Sequence, residues 1–219
     1  MTRNTTVVIA HGFYHTPAPY QALVDAFSSQ GIDACCPQLP TSDLHQLNIG
    51  DVNNPDFDRE PPVGGYPQGE EDNEALLAVL KPLVKEQGQR VLLLAHSAGG
   101  WVATQAAIPE LQAKVRQAEG LDGGIVGILY YGAFIIPINE SIHSFFQPKD
   151  GTVHVPPWLE FHVSSSAGKS GATLLILVVD RSMAATGWPL WHLRTNTSST
   201  TLSQSRQQSG RQHSLRPQS

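Results

Sequence analysis

The sequence predicts an α/β fold, a mostly parallel sheet flanked by helices. Apolar runs of strand length alternate with amphipathic stretches along the first two-thirds of the chain. The runs show no polar alternation, the pattern of strands buried on both faces of a parallel sheet. With 219 residues, 40% of them hydrophobic and 15% charged, the chain suits a single soluble domain with a core of its own.

The elements follow in order. Thr6–Ala10 (TVVIA) reads as a strand, and Tyr20–Phe27 as a helix with Leu23, Val24 and Phe27 on one face. Ile32–Cys36 is a short second strand. From Leu39 to Gln68 the chain is irregular, with five prolines and the acidic segment DVNNPDFDRE. Glu70–Gln87 reads as a helix, its first turn acidic and Leu76, Leu77, Leu80, Leu83 and Val84 forming its stripe; Gly88 ends it. Arg90–Ala95 is a strand, Ala98–Ile108 a helix of small residues, and Ile125–Phe134 (IVGILYYGAF) another strand. Further on, Leu174–Val179 (LLILVV) also has strand character, with Asp180 at its end.

Composition excludes several classes. A net charge of −5 argues against nucleic-acid and anionic-membrane partners. No apolar run reaches membrane-spanning length, and the N-terminus lacks the pattern of a signal peptide. Cys35 and Cys36 are neighbours, read as small buried residues and not as a staple. A cytoplasmic location is expected, and the sequons at Asn4, Asn139 and Asn196 then mean little, since glycosylation needs a secretory context.

The chemistry concentrates in two short motifs. His96-Ser97-Ala98-Gly99-Gly100 sits between a strand and a helix, the context of a nucleophile elbow. A serine on so sharp a turn needs small neighbours, and Ala95, Gly99 and Gly100 supply them. The helix N-terminus below it favours developing negative charge. Read alone, Ser97 is equally a plain N-cap. The second motif, His11-Gly12-Phe13, follows the first strand, where the Phe13 and Ala98 N–H groups form a candidate oxyanion hole. Gly12, His15 and Trp101 are the candidate substrate-binding residues around it.

Four stretches carry a resemblance: VVIAHGFYHTPAPYQALVDAF, GIDACCPQLP, VLLLAHSAGGWVA and ILYYGAFIIPINES. The chain resembles the α/β-hydrolase superfamily, in particular its small esterase and hydroxynitrile-lyase-like branch. The resemblance implies Ser97 as nucleophile, Phe13 and Ala98 as oxyanion donors, a small-molecule substrate, and neither cofactor nor metal. It covers residues 6 to about 150. In the family an Asp and then a His complete the triad, in the order Ser, acid, His. Asp180 is the candidate acid and His192 the candidate base, with His213 as the other histidine beyond Asp180.

Past Phe161 the family pattern fades. From Arg181 onward there are five arginines and no Asp, Glu or Lys, a composition unsuited to a core. Residues 1–163 therefore read as the hydrolase core with the start of a cap. Residues 164–219 read as a divergent segment with one strand and a disordered tail, leaving the sheet incomplete at a truncated or frame-altered C-terminus. The expected activity is hydrolysis of a small, mostly apolar ester or related carbonyl compound, with lyase chemistry as a variant. The alternative is an inactive hydrolase-fold protein or small-molecule binder lacking the triad histidine.

Other motifs have blander readings. Ala167–Ser170 (AGKS) has Val163 where a phosphate loop needs glycine. Asp51, Asp56, Asp58 and Glu60 read as a solvated loop, with Pro55 breaking any calcium pattern. His143, His154 and His162 are scattered without a partner pattern, and Tyr130 and Tyr131 read as sheet residues.

Overall fold

The computed structural model describes residues 5–13, 15–56, 59–140, 142 and 145, and the backbone of three later strands. Strand β1 is Thr5–Ala10, β2 Asp33–Cys35, β3 Arg90–His96 and β4 Gly124–Tyr131. They form one sheet in the order β2-β1-β3-β4, with every pair parallel. Helices α1 (Gln21–Ser29), α2 (Gly69–Lys81), α3 (Gly99–Ala106) and α4 (Ala113–Ala118) lie between the strands in sequence.

The two-residue period of the strands divides the core into two layers. Val8, Ala10, Val91, Leu93 and Ala95 share a buried cluster with Leu76 and Leu80 of α2 and Val102, Ala103 and Ala106 of α3. Val7, Ile9 and Leu94 point the other way and meet Tyr20, Val24 and Phe27. Both faces of β1 and β3 are covered, so most positions of these two strands are apolar. Each fully buried leucine or isoleucine contributes about 1.5–3 kcal/mol. A third small cluster, Leu47, Ile49 and Tyr66, gives the irregular segment after β2 an interior of its own.

Three departures from the sequence reading have a local reason. Leu23 is not on the buried face of α1: Val24 and Phe27 pack against the β1 side chains, and Leu23, about 100° round the helix from Val24, is 38% exposed. The long helix to Gln87 ends as α-helix at Lys81, because Pro82 has no N–H to continue the ladder. A wider, π-type turn follows over Pro82–Glu86, with the Gln87 N–H donating to the Pro82 carbonyl at 3.1 Å. Strand β4 stops at Tyr131, where Gly132 turns the chain at φ 51°.

Within the parallel sheet and its helices, two features were not anticipated. Helix α4 is too short to show a periodic stripe; buried Arg116 anchors it by donating to the carbonyls of Asp122 and Val84. Asp72, one of the acids in the first turn of α2, is 1% exposed and accepts from the N–H and hydroxyl of Thr41 at 2.9 and 2.6 Å.

The later strands β5 (Leu159–Val163), β6 (Thr173–Val178) and β7 (His192–Asn196) pair antiparallel in the order β5-β6-β7. β6 coincides with the LLILVV run, shifted by one residue; β5 and β7 were not expected, and residues 164–219 hold two described strands where the sequence reading had one and a disordered tail.

Candidate active site

Register places the two motifs side by side. Ala10 at the end of β1 pairs with Ala95 near the end of β3, so the turns that follow leave adjacent carboxyl ends of parallel strands. That is the edge at which open α/β sheets gather their binding residues.

Ser97 stands on the turn from β3 to α3 at φ 52°, in the left-handed region. For a residue with a Cβ this conformation is strained, at a cost of order 1–2 kcal/mol. The surroundings hold it there. Its N–H donates to the Gly132 carbonyl at 3.2 Å and its carbonyl accepts from the Phe134 N–H at 2.8 Å. Small neighbours then become a steric demand. A Cβ on Gly12 would lie 2.9 Å from the Ser97 Cβ and 3.4 Å from its Oγ. A Cβ on Gly99 would collide with the Ala10 carbonyl oxygen, and one on Gly100 would lie 2.5 Å from the Phe134 carbonyl oxygen.

Ala98 is buried at the N-cap of α3. Among the described residues, the turn's backbone hydrogen bonds use the N–H groups of Ser97, Gly100 and Trp101 and not that of Ala98. On the facing turn, the Gly12 carbonyl accepts from the His11 Nδ1–H at 2.8 Å and from the His15 N–H at 3.3 Å. A trans peptide is planar, so fixing that carbonyl also fixes the direction of the Phe13 N–H, which points the opposite way.

His11 is fully buried and its tautomer is set by its partners. Nε2 accepts from the Leu39 N–H at 3.0 Å, so Nδ1 carries the proton that it donates to Gly12. Burial, followed by the neighbouring His15 and His96, holds its pKa down to about 4 against the pull of the Gly12 hydrogen bond.

Around Gly12 the structure adds two residues to which the sequence reading gave no role. The Tyr20 hydroxyl accepts from the Gly12 N–H at 3.2 Å and bonds Nδ1 of both His15 (2.8 Å) and His96 (2.7 Å). The His15 and His96 rings stack, with centroids 5.5 Å apart and an interplanar angle of 15°. Burial lowers the pKa of His15 to about 4 and also lowers that of His96, so both are neutral at pH 7. The same burial pushes the Tyr20 phenol up to about 12. His96 had a sequence signal in its adjacency to Ser97; Tyr20 had none beyond its helical position.

The candidate residues thus divide. Gly12, Phe13, His15, Ser97 and Ala98 come together at the carboxyl ends of β1 and β3. Trp101, one turn along α3, packs its six-membered ring on Gly69 at the start of α2, as part of the main core. His192 opens β7, where its backbone pairs with Leu177. Asp180 and His213 lie outside the described residues, as do His143, His154, Asp58 and the AGKS segment. Asp51 accepts from Asn53 in its own loop, and the Tyr130 hydroxyl bonds that of Thr104. No group of three or more His, Cys, Asp or Glu among the described residues could hold a metal ion.

The model of the Alpha/beta hydrolase family matches residues 7–214. The chain belongs to the alpha/beta hydrolase family. The match runs through residues 164–214, beyond the point where the motifs fade from the sequence. Among curated relatives, Alpha/beta hydrolase nvfD of Aspergillus novofumigatus (strain IBT 16806) is 27% identical over 146 residues, 65% of this chain and 48% of that protein. The chain therefore spans about half the length of this relative.

Solved structures carry the same fold at low identity. Polyneuridine aldehyde esterase is 16% identical, with a TM-score of 0.51, over 83% of this chain and 60% of its own. Tomato methylketone synthase I, solved with 2-tridecanone, is 13% identical, with a TM-score of 0.56, over 87% and 68%. No helix among the described residues of this hydrolase-family chain is long and apolar enough to cross a membrane.

Proposed function

We propose that this chain is a serine hydrolase with Ser97 as its nucleophile. The observation that carries the reading is the backbone of Ser97: a left-handed serine between β3 and α3, pressed against Gly12 and clamped by Gly132 and Phe134. Strain of this kind at a non-glycine residue marks functional turns, and a plain N-cap serine has extended backbone instead. The turn is a nucleophile elbow, and the N–H groups of Phe13 and Ala98 are the oxyanion donors.

Ser97 Oγ attacks the ester carbonyl carbon and gives its proton to a histidine as the carbon–oxygen double bond opens to an oxyanion. The oxyanion sits on the two N–H groups. On collapse the alcohol leaves with the proton from the histidine; a water, deprotonated by the same histidine, then adds to the acyl carbon, and the acid departs as the histidine returns that proton to Ser97 Oγ. His192 is the proposed base and Asp180 the acid that orients it. His11 is not available for the task, since both its nitrogens are committed to backbone groups. Exposed apolar residues after β4, Ile135 and Ile138, support a small, mostly apolar ester or related carbonyl compound as substrate.

A fluorophosphonate serine probe tests the reading on the wild-type chain and on Ser97→Ala, Asp180→Asn, His192→Ala and His213→Ala, each checked for folding by circular dichroism. Labelling should vanish in Ser97→Ala and fall by at least about 10³-fold in His192→Ala. A folded wild-type chain that takes no label would make this a hydrolase fold without hydrolase activity.

A further inference from the structure

We propose that Tyr20 is a positioning residue of this site: its phenol oxygen holds the Gly12 turn against Ser97 and sets His15 and His96 in opposite tautomers. The catalytic part of this inference rests on the serine-hydrolase reading; the hydrogen-bond part stands on the geometry alone.

Valence decides the arrangement. A phenol oxygen has one proton to give and two lone pairs to receive. One lone pair takes the Gly12 N–H. Two ring nitrogens remain within hydrogen-bond distance, Nδ1 of His15 and Nδ1 of His96. One of them accepts the phenol proton and is bare; the other donates and carries a proton. Two bare nitrogens would compete for a single O–H, and two protonated ones would leave that O–H without an acceptor. The tautomers are therefore complementary, whichever way round they stand.

The same oxygen completes the restraint on the Gly12 turn. His11 and the His15 N–H fix the Gly12 carbonyl from one side, and Tyr20 fixes the Gly12 N–H from the other. With both ends tied, the Phe13 N–H has one direction. Tyr20 is itself held firmly. It ends a 3₁₀ turn, Ala18–Tyr20, that starts after Pro17, and its N–H donates to the Pro17 carbonyl at 2.9 Å. Its ring packs in the α1-side cluster with Val24 and Phe27. Tyr20→Phe keeps that ring and removes the oxygen alone.

Three readouts on the full chain test the idea. The first is the ring-nitrogen tautomer of each histidine by ¹⁵N NMR at neutral pH, with signals assigned through His15→Gln and His96→Gln. The Nδ1–H fractions of His15 and His96 should sum to one in the wild type, even when the two arrangements exchange, and should lose that relation in Tyr20→Phe. The second is hydrogen exchange at the Gly12 amide, expected at least about tenfold faster in Tyr20→Phe. The third is hydrolysis of p-nitrophenyl acetate, with kcat lower by about tenfold or more and KM within about twofold. A merely structural tyrosine would not produce that split.

A wild-type sum away from one, or unchanged Gly12 exchange in a folded Tyr20→Phe, overturns the proposal. If Tyr20→Phe does not fold, the wild-type sum decides. A wild type that neither hydrolyses the ester nor takes the fluorophosphonate label sinks the hydrolase reading, while the tautomer and exchange data still judge Tyr20.

Discussion

Ser97 holds a conformation that glycine would adopt without strain, at φ 52°, and keeps its side chain there. The clash of its Cβ with neighbouring backbone is a stability cost accepted for a placed hydroxyl. Ser97→Gly should therefore be more stable than Ser97→Ala by about 1 kcal/mol in urea unfolding, since alanine keeps the strain, although both lose the nucleophile. Equal stabilities would mean that the turn is relaxed. This residue was legible because its demands are local: a serine on a sharp turn needs small neighbours, and they are adjacent in the sequence. Tyr20 was not legible. Its partner His96 is 76 positions away, and nothing in the sequence around Tyr20 distinguishes a hydrogen-bonding hub from the first residue of an amphipathic helix.

Among the elements, α3 is the one most tightly built into the site. Gly99 lets its first turn lie directly on the backbone of β1, where an added methyl meets the carbonyl oxygens of Ala10 and His11. Backbone cannot step aside as a side chain can. Gly99→Ala should cost about 3 kcal/mol or more and lower the melting temperature, even though alanine is the better helix former. An unchanged melting temperature would refute the close approach of α3 to β1. The strands and the starts of the helices could be read closely, because apolar runs and an acidic first turn are local signals; the structure adds a cap at the start of α2, where the Gln68 N–H donates to the Glu71 carboxylate at 2.8 Å. The break at Pro82 is also local in origin, but the leucine stripe continues through it, since Val84 stays buried beyond the proline.

At the scale of the whole molecule, buried titratable groups set the response to acid. Burial lowers His11 and His15 from 6.5 to about 4, so between those values the unfolded chain binds protons that the folded chain refuses. Their effect is full stability above pH 6.5 and a loss as pH falls through that window. Asp72 acts oppositely. Burial raises it from 3.8 to about 6 against its Thr41 hydrogen bonds, so its contribution is greatest at low pH and is lost as pH rises through the same range. Urea unfolding at pH 7 and pH 5 should show lower stability at pH 5. In Asp72→Asn the drop should be larger than in the wild type by about 1 kcal/mol, the offset from the buried acid being gone. An identical drop in both would mean that Asp72 titrates normally. The sequence by itself determined the parallel sheet, its two apolar faces, and the two turns that carry Ser97 and Phe13, because each of these is written in residues a few positions apart. Only the tertiary structure decided that Asp72 and Arg116 are buried, that α1 turns Leu23 outward, and that His11, His15, His96 and Tyr20 converge on Gly12. Those facts depend on which distant segments displace water from a group and offer it a partner, and one-dimensional spacing does not contain that information.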